Sequence, residues 1–499
     1  MLKLSGQRLS LEQIEAVARG NEVVGIAPDA LQRMAASREL IEIIVAEERV
    51  VYGVSTGFGK LANVHIPPHE LRELQLNLVR SHACGVGDPL PESETRAMML
   101  LRANVLAVGF SGARTVVAET IVDMLNKGVH PVIPSRGSVG ASGDLAPLAH
   151  LALVVIGEGE AIYQGERLGG LEAMTKAGIK PLVLEAKEGL ALLNGTQAMG
   201  AVGGLALMRA ERLIWVADIA GAMTLEALLG TPTAFDGRIH QARPHPGQIE
   251  CASHLRELLQ DSEIRESHMG NDPRVQDAYS LRCMPQVHGA VRGVFSHVRN
   301  VVEIESGSAT DNPLVFPNEG DTLSGGNFHG APLSMAYDYA AIGLTDLMSI
   351  AERRIDRLVN PDANEHLPPF LTSHPGTASG YMIPHVVAAA LLNEAKVLSH
   401  PASVDSVPTS GGQEDHVSMG MTTALKFRDI VGLAERLLAI EMLAAAEALE
   451  YRAPLRPGRG VQKAWEQVRA LSPRLKQDRS LSKDIEDVAK AIRDGVFGS

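Results

Sequence analysis

Residues 420–452, GMTTALKFRDIVGLAERLLAIEMLAAAEALEYR, decide the fold. Ile430, Leu433, Leu437, Ile440 and Ala444 share one helical face, and Val431, Leu438 and Met442 widen it beyond the stripe of a surface helix. A helix of about 30 residues is about 45 Å long, so it needs neighbours of similar length. Residues 196–229 offer one, an apolar-rich stretch charged only at Arg209, Glu211, Arg212, Asp218 and Glu226, and residues 331–358 and 378–399 look similar. Apolar faces this broad predict a long helical bundle buried on more than one side, and hence chains that associate.

Working outward, residues 1–195 read as a mixed domain, 196–453 as the central bundle, and 454–499 as a peripheral C-terminal cap with a short helix near 482–494. Val23–Ile26 and Val50–Val54 are candidate extended segments, whereas 68–84 and 92–127 carry helix-period apolar spacing. Hydrophobic residues make up 45% of the 499-residue chain and aromatics only 4%, so the core rests on aliphatic side chains and suits helices. A net charge of −13 without a basic cluster argues against nucleic acid as a partner. Cys84, Cys251 and Cys283 lie far apart without metal-ligand spacing, which fits a reducing cytoplasm and predicts no metal. The start, MLKLSGQRLSLEQ, turns polar too soon for a secretory core, and no apolar run reaches the ~18 residues that would span a bilayer.

The segment HPVIPSRGSVGASGDLAPLAH, 130–150, interrupts the helical pattern with Gly, Ser and Pro between apolar flanks. It lacks the Gly-Lys-Ser/Thr of a phosphate loop and the Gly-x-Ser-x-Gly frame of a nucleophile elbow. Ala141-Ser142-Gly143 permits another chemistry. If the backbone N of Gly143 attacks the Ala141 carbonyl, a five-membered imidazolone closes, and loss of water, including the Ser142 hydroxyl, leaves an exocyclic methylidene. Gly143 offers an unobstructed amide and tolerates a tight backbone, Ser142 carries the leaving hydroxyl, and Ala141 is small. The product is an electrophile that no unmodified side chain provides.

On GSVGASGDLAPLAH the chain resembles the aromatic amino-acid ammonia-lyases and aminomutases, and the resemblance extends from VVYGVSTGFGK, 50–60, to GGQEDHVSMG, 411–420. It implies a mainly α fold like the fumarase/aspartase superfamily, a 4-methylideneimidazole-5-one group formed from Ala141-Ser142-Gly143, and no metal. It also implies a homotetramer in which each site draws on three chains, with a small amino acid as the substrate and neither nucleic acid nor membrane as partner. Elimination of ammonia requires an electrophile to capture the amine and a base of lowered pKa to take the β-proton. Family counterparts assign that base to Tyr52. In NDPRVQDAYSLRCMPQVHG, 271–289, Arg282 is implied as a forked clamp on the substrate carboxylate, with Gln276 and Tyr279 lining the site. Asn194 in LLNGTQ precedes a helix that it could N-cap, and its counterpart hydrogen-bonds at the electrophile or carboxylate. The family counterpart of Phe328, in SGGNFHG, packs near the substrate.

The substrate side chain is read at Ser81-His82 in LVRSHACGVG and at Glu414 in SGGQEDHVSMG. Members that act on histidine carry Ser-His and Gln-Glu there, while those for phenylalanine have Phe-Leu and lack the acid. An imidazole at His82 can exchange hydrogen bonds with a substrate imidazole, and a carboxylate beside a phenyl ring would be costly. Met382 in GYMIPH offers an adaptable apolar wall. Arg80, Ala278, Gly330-Ala331 and Gly411-Gly412 depart from the histidine-specific pattern, so elimination from tyrosine, or its conversion to a β-amino acid, remains the rival. From other classes stand a non-catalytic helical assembly protein and a fumarase-like lyase without the modified group. The first predicts loss of Tyr52, Ser142 or Arg282, yet all three are present.

Overall fold

A computed structural model describes residues 1–20, 22–270, 272 and 274–497. Positions 271 and 273 of the quoted segment 271–289, and positions 498–499 of the C-terminal cap, lie outside the described residues. Helix accounts for 59% of the structure and strand for 8%, so the mainly α class expected from the aliphatic composition is the one observed. The long helices stand close to their expected bounds, at Gln197–Ala227, Ala331–Val359, Met382–Leu398 and Gly420–Glu450. A fifth, Met284–Ser306, joins them.

The residues form two compact units. The first comprises Met1–Met208, Arg299–Asp338 and Pro401–Leu425; the second comprises Arg209–Val298, Tyr339–His400 and Lys426–Ser499. In the first unit the strands are short pairs: Leu2–Leu4 lies parallel to Val24–Ile26, and Val129–Pro131 joins a three-stranded antiparallel sheet with Glu160–Tyr163 and Glu166–Gly169. The helical pattern over 92–127 divides into Glu92–Val108 and Thr115–Lys127. Gly109, at φ 95°, ends the first of these as a left-handed cap. Residues 50–54 form turns rather than a strand, with Gly53 at φ 70°. That turn is tied by the Ser55 hydroxyl, which donates to the Arg49 carbonyl at 2.7 Å and accepts from the Val51 N–H at 3.0 Å.

The helix Gly420–Glu450, which belongs to the second unit from Lys426 on, is buried all round in its later turns, because Leu437, Ile440, Met442 and Ala444 are wholly covered. Leu433, expected on the same face, is only half-buried. Three carboxylates spaced six residues apart on this helix, Glu435, Glu441 and Glu447, are also buried. Each is met by arginine. Glu435 pairs with Arg209 and Arg493, Glu441 with Arg354 at 2.5 Å, and Glu447 with Arg469 at 3.0 Å. A second buried centre surrounds Asp218, which accepts from His254, His288, Arg292 and the Cys251 thiol. Burial alone would raise its pKa, but these donors hold the carboxyl far below its usual range. Asp218, Cys251 and His288 bring possible metal-ligand atoms within 4.8 Å of one another. Both carboxylate oxygens are engaged by hydrogen bonds, and Arg292 adds a cation. Among the described residues, no helix is long and apolar enough to cross a membrane.

Breaking one member of a fully buried ion pair leaves an uncompensated charge and costs about 3–5 kcal/mol. Arg354→Ala is therefore expected to lower the unfolding free energy by about that amount. Chemical denaturation checks it, and a loss below 1 kcal/mol, on the order of a surface pair, would show the Arg354–Glu441 pair to be immaterial.

Candidate active site

The Ala-Ser-Gly loop begins after the strand Pro134–Arg136 and ends at the helix Leu145–Val155. Gly143 lies at φ 73° and pairs with Gly195 as an isolated bridge. A Cβ at Gly143 would run into the Gly195 carbonyl, so only glycine fits there. The next residue continues the contact: the Asp144 N–H donates to the Gly195 carbonyl at 2.7 Å. Asp144 is fully buried, and its carboxylate accepts from the Ser138 hydroxyl and the Met199 N–H, both at 2.8 Å. Burial outweighs these donors and pushes its pKa up to about 6.

Asn194 follows the short helix Glu188–Leu193 as its C-cap. The N-cap role expected from LLNGTQ is therefore incorrect, since the next helix starts only at Gln197 and the Asn194 side chain donates to the Asn312 carbonyl at 3.1 Å. Asn194 Oδ1 is buried and finds no hydrogen-bond partner among the described residues. Its backbone carbonyl accepts from Arg102 at 2.6 Å. Arg102 is fully buried, and that burial lowers it to about 10.

A cavity of about 630 Å³ opens over this loop. Of the residues named from sequence, Tyr52, His82, Ala141, Ser142, Asn194, Phe328 and Glu414 line it. Gly143 backs onto Gly195 directly behind. The whole lining comes from the first unit. Gln276, Tyr279, Arg282 and Met382 belong to the second unit and are not among the lining residues. There Gln276 is exposed in a bend and Tyr279 is 72% exposed. The Arg282 guanidinium stacks on the Tyr279 ring at 4.5 Å. Met382 opens the helix Met382–Leu398.

Glu414 is the centre of the cavity's polar contacts. Its Oε1 accepts the Ser142 hydroxyl at 2.8 Å and its Oε2 accepts the Thr409 hydroxyl at 2.6 Å. Elsewhere in the lining, His82 Nδ1 lies 2.9 Å from the Leu78 carbonyl and 3.0 Å from the Ser81 hydroxyl. A carbonyl can only accept, so Nδ1 carries the proton and Nε2 presents a lone pair. Burial lowers the His82 pKa, opposed by the Leu78 bond and the Glu414 charge, so the neutral ring prevails near pH 7. Tyr52 behaves otherwise. Burial raises its phenol above the usual value, a bond from the Gly59 N–H opposes this, and the Glu414 charge adds to the rise. This direction is the reverse of the lowered pKa expected of a base.

Sequence reasoning missed His329 and His416, which line the cavity with their rings stacked at 5.7 Å. Each stood inside a quoted motif, beside Phe328 and two residues after Glu414. Arg80, which departs from the histidine-specific pattern, is an exposed residue paired with Glu158 and is not among the lining residues.

The residues present suit the methylidene-imidazolone. Gly143 is held where only glycine fits, the Ala141 methyl is buried, the Ser142 hydroxyl is engaged, and Asn194 Oδ1 has no partner among the described residues. The helical fold and a loop whose residues permit this cyclisation are those of a lyase that works on an amino acid. The chain belongs to the aromatic amino acid lyase family, whose model matches residues 9–470. By that membership it is a carbon–nitrogen lyase. It is 56% identical over 492 residues to a histidine ammonia-lyase of Myxococcus xanthus, covering 99% of this chain and 96% of that one. The crystal structure of histidine ammonia-lyase from Trypanosoma cruzi superposes with a TM-score of 0.92 at 43% identity, covering 99% and 94% of the two chains. Tyrosine aminomutase from Streptomyces globisporus superposes with 0.94 at 38% identity, covering 99% and 97%.

If the Glu414 carboxylate opposes ionisation of Tyr52, then Glu414→Gln removes a negative charge and stabilises the phenolate. The Tyr52 titration, followed by NMR of ring-labelled tyrosine, is expected to move to lower pH in that variant. An unmoved titration would sink the coupling.

Proposed function

We propose that this enzyme eliminates ammonia from L-histidine to give urocanate, through a 4-methylideneimidazole-5-one formed autocatalytically from Ala141-Ser142-Gly143. The observation that carries the reading is the joint presence of neutral His82 and of Glu414 on the walls of one cavity, with Glu414 bonded to Ser142. Relatives at 50–56% identity that bear the name histidine ammonia-lyase support it.

The modified group supplies an electrophile that converts the substrate amine into a leaving group. The chain's own residues do the rest. His82 Nε2 accepts the N–H of the substrate imidazole, and the Glu414 carboxylate takes a second N–H or offsets charge on the ring. Phe328 and the leucines of the wall exclude water, which strengthens both contacts. Asn194 Oδ1, which has no partner among the described residues, accepts from the substrate's amino end. Tyr52 takes the β-proton. Its raised pKa disfavours the phenolate in the empty cavity, so the cationic substrate aids its ionisation on entry.

Gln276, Tyr279, Arg282 and Met382 act in the same reaction from neighbouring chains of a homotetramer. Arg282 clamps the carboxylate, and its Nε, buried without a partner among the described residues, leaves a donor for it. The likeness to tyrosine aminomutase favours one further reading, that a phenol hydrogen-bonds to His82 in place of an imidazole. Identity of 50–56% to relatives named histidine ammonia-lyase weighs for the imidazole, since a neutral imidazole and a phenol each offer a single donor.

Intact mass is expected to fall about 36 Da short of the sequence mass, equal to two waters. Ser142→Ala is expected to show no such loss and almost no turnover, with the fold retained. Product absorbance with separate amino acids tests the substrate. Histidine yields the conjugated acrylate, and a cinnamate-type product from tyrosine alone would overturn the assignment. Glu414→Gln is expected to reduce turnover of histidine far more than any residual turnover of tyrosine, and equal losses would refute its selective role.

A further inference from the structure

The loop that carries Ala141-Ser142-Gly143 is gripped at both ends by segments remote in sequence. On its exit side stand Gly195, which accepts the Asp144 N–H at 2.7 Å, and Met199, whose N–H donates to the Asp144 carboxylate at 2.8 Å. On its entry side stand Ser418 and Met419. The Met419 N–H donates to the Val139 carbonyl at 2.8 Å, and the Ser418 hydroxyl donates to the Gly140 carbonyl at 2.9 Å. The Gly330 N–H reaches the same Gly140 carbonyl at 3.2 Å.

The entry grip is built rather than incidental. Ser418 is buried, and its hydroxyl oxygen accepts from the Gly420 N–H at 3.2 Å, which fixes where its own proton points. Its backbone carbonyl accepts the Ser334 hydroxyl at 2.5 Å. Gly140 lies at φ 67°, and a Cβ there would strike Ser418 Oγ, so the two residues interlock. Met419 lies at φ 57°, a conformation that a non-glycine residue keeps only where its surroundings hold it. The segment also presents Glu414, whose carboxylate holds the hydroxyl of Ser142.

We propose that Ser418 is a positioning residue for closure of the electrophile, and that docking of segment 414–420 onto Val139 and Gly140 times that closure. The inference rests on the reading that the tripeptide cyclises. Ring closure forms a bond between Gly143 N and the Ala141 carbonyl carbon. The Ala141 oxygen leaves as water with the protons of Gly143 N and Ser142 N. Ser142 Oγ leaves as a second water with its own proton and the Cα proton of Ser142. No electrons enter or leave. Closure requires the amide of Gly143 to be held against the carbonyl of Ala141, and a loop fixed at only one end relaxes away from that geometry. Fixing both ends raises the effective concentration of the reacting atoms.

The test follows intact mass at intervals after synthesis of the full chain, with circular dichroism and thermal unfolding alongside. Wild type is expected to lack about 36 Da. Ser418→Ala is expected to fold yet lose those waters at least about tenfold more slowly, and Ser418→Thr, which keeps the hydroxyl, to mature close to the wild-type rate. A folded Ser418→Ala that matures as fast as wild type overturns the positioning role and leaves cyclisation standing. Wild type at the unmodified mass overturns both. Where Ser418→Ala does not fold, Ser334→Ala decides, since it releases the Ser418 backbone and leaves the hydroxyl. It is expected to delay maturation to a lesser degree, and no delay overturns the proposal.

Discussion

The backbone of Gly143 and the backbone of Gly195 meet with no room for a side chain between them, and the rest of the site is arranged around that meeting. It binds the start of one helix, Leu145–Val155, to the junction between two others, Glu188–Leu193 and Gln197–Ala227. A Cβ at Gly195 would in turn crowd Gln197, Arg102 and Thr310, so the contact is closed from behind as well as in front. Burying Arg102 there depresses its pKa, yet the bonds to the Asn194 carbonyl and Gln197 retain it. The same bonds fix Asn194 at the cavity wall. A packing constraint between two glycines thereby becomes a constraint on where a hydrogen-bonding side chain faces the substrate space.

Charge organises another part of the cavity lining. Burial and Glu414 act together on Tyr52, both favouring the neutral phenol, but they oppose one another at His82, where Glu414 favours the proton and burial removes it. Burial sets both balances. It keeps His82 an acceptor against the pull of Glu414, and it keeps Tyr52 protonated with Glu414 adding to the same effect. An amino acid brings positive charge on its ammonium group. In the proposed reaction the substrate therefore helps to activate the base that acts on it, and an empty cavity holds no idle phenolate.

The long helices were legible because burial on several faces writes apolar residues at every helical spacing, as in 420–450. Local reversals were not. Val50–Val54 is rich in β-branched residues and reads as a strand, but Gly53 at positive φ and the Ser55 hydroxyl fold it into turns. The break between Val108 and Thr115 does carry a turn signal, Gly109-Phe110-Ser111-Gly112, where Gly109 caps the helix, but the apolar spacing on either side runs over it. Asn194 was misplaced for a related reason: the six-residue helix before it is too short to show a period. Seven of the residues named from sequence motifs do line one cavity. What the motifs could not disclose is which of them touch, since Ser142 and Glu414 lie 272 positions apart. Nor does any spacing mark Ser418, whose partner is a backbone carbonyl and so leaves no complementary side chain to recognise.

The residues left outside the cavity carry an argument of their own. On the helix Met382–Leu398, Ile383, Val386 and Val397 are each more than half exposed, an arrangement that costs apolar hydration in an isolated chain. Tyr279 is likewise exposed, with the Arg282 guanidinium lying on its ring. Stacking on an aromatic face holds the planar fork of an arginine without consuming all of its donors. Arg282 accordingly keeps a fixed direction while its Nε has no partner among the described residues. An apolar helix face and the proposed carboxylate clamp are what a chain needs if it completes the site of a neighbour. In the proposed tetramer the burial of the first supplies the association energy that brings the second into use.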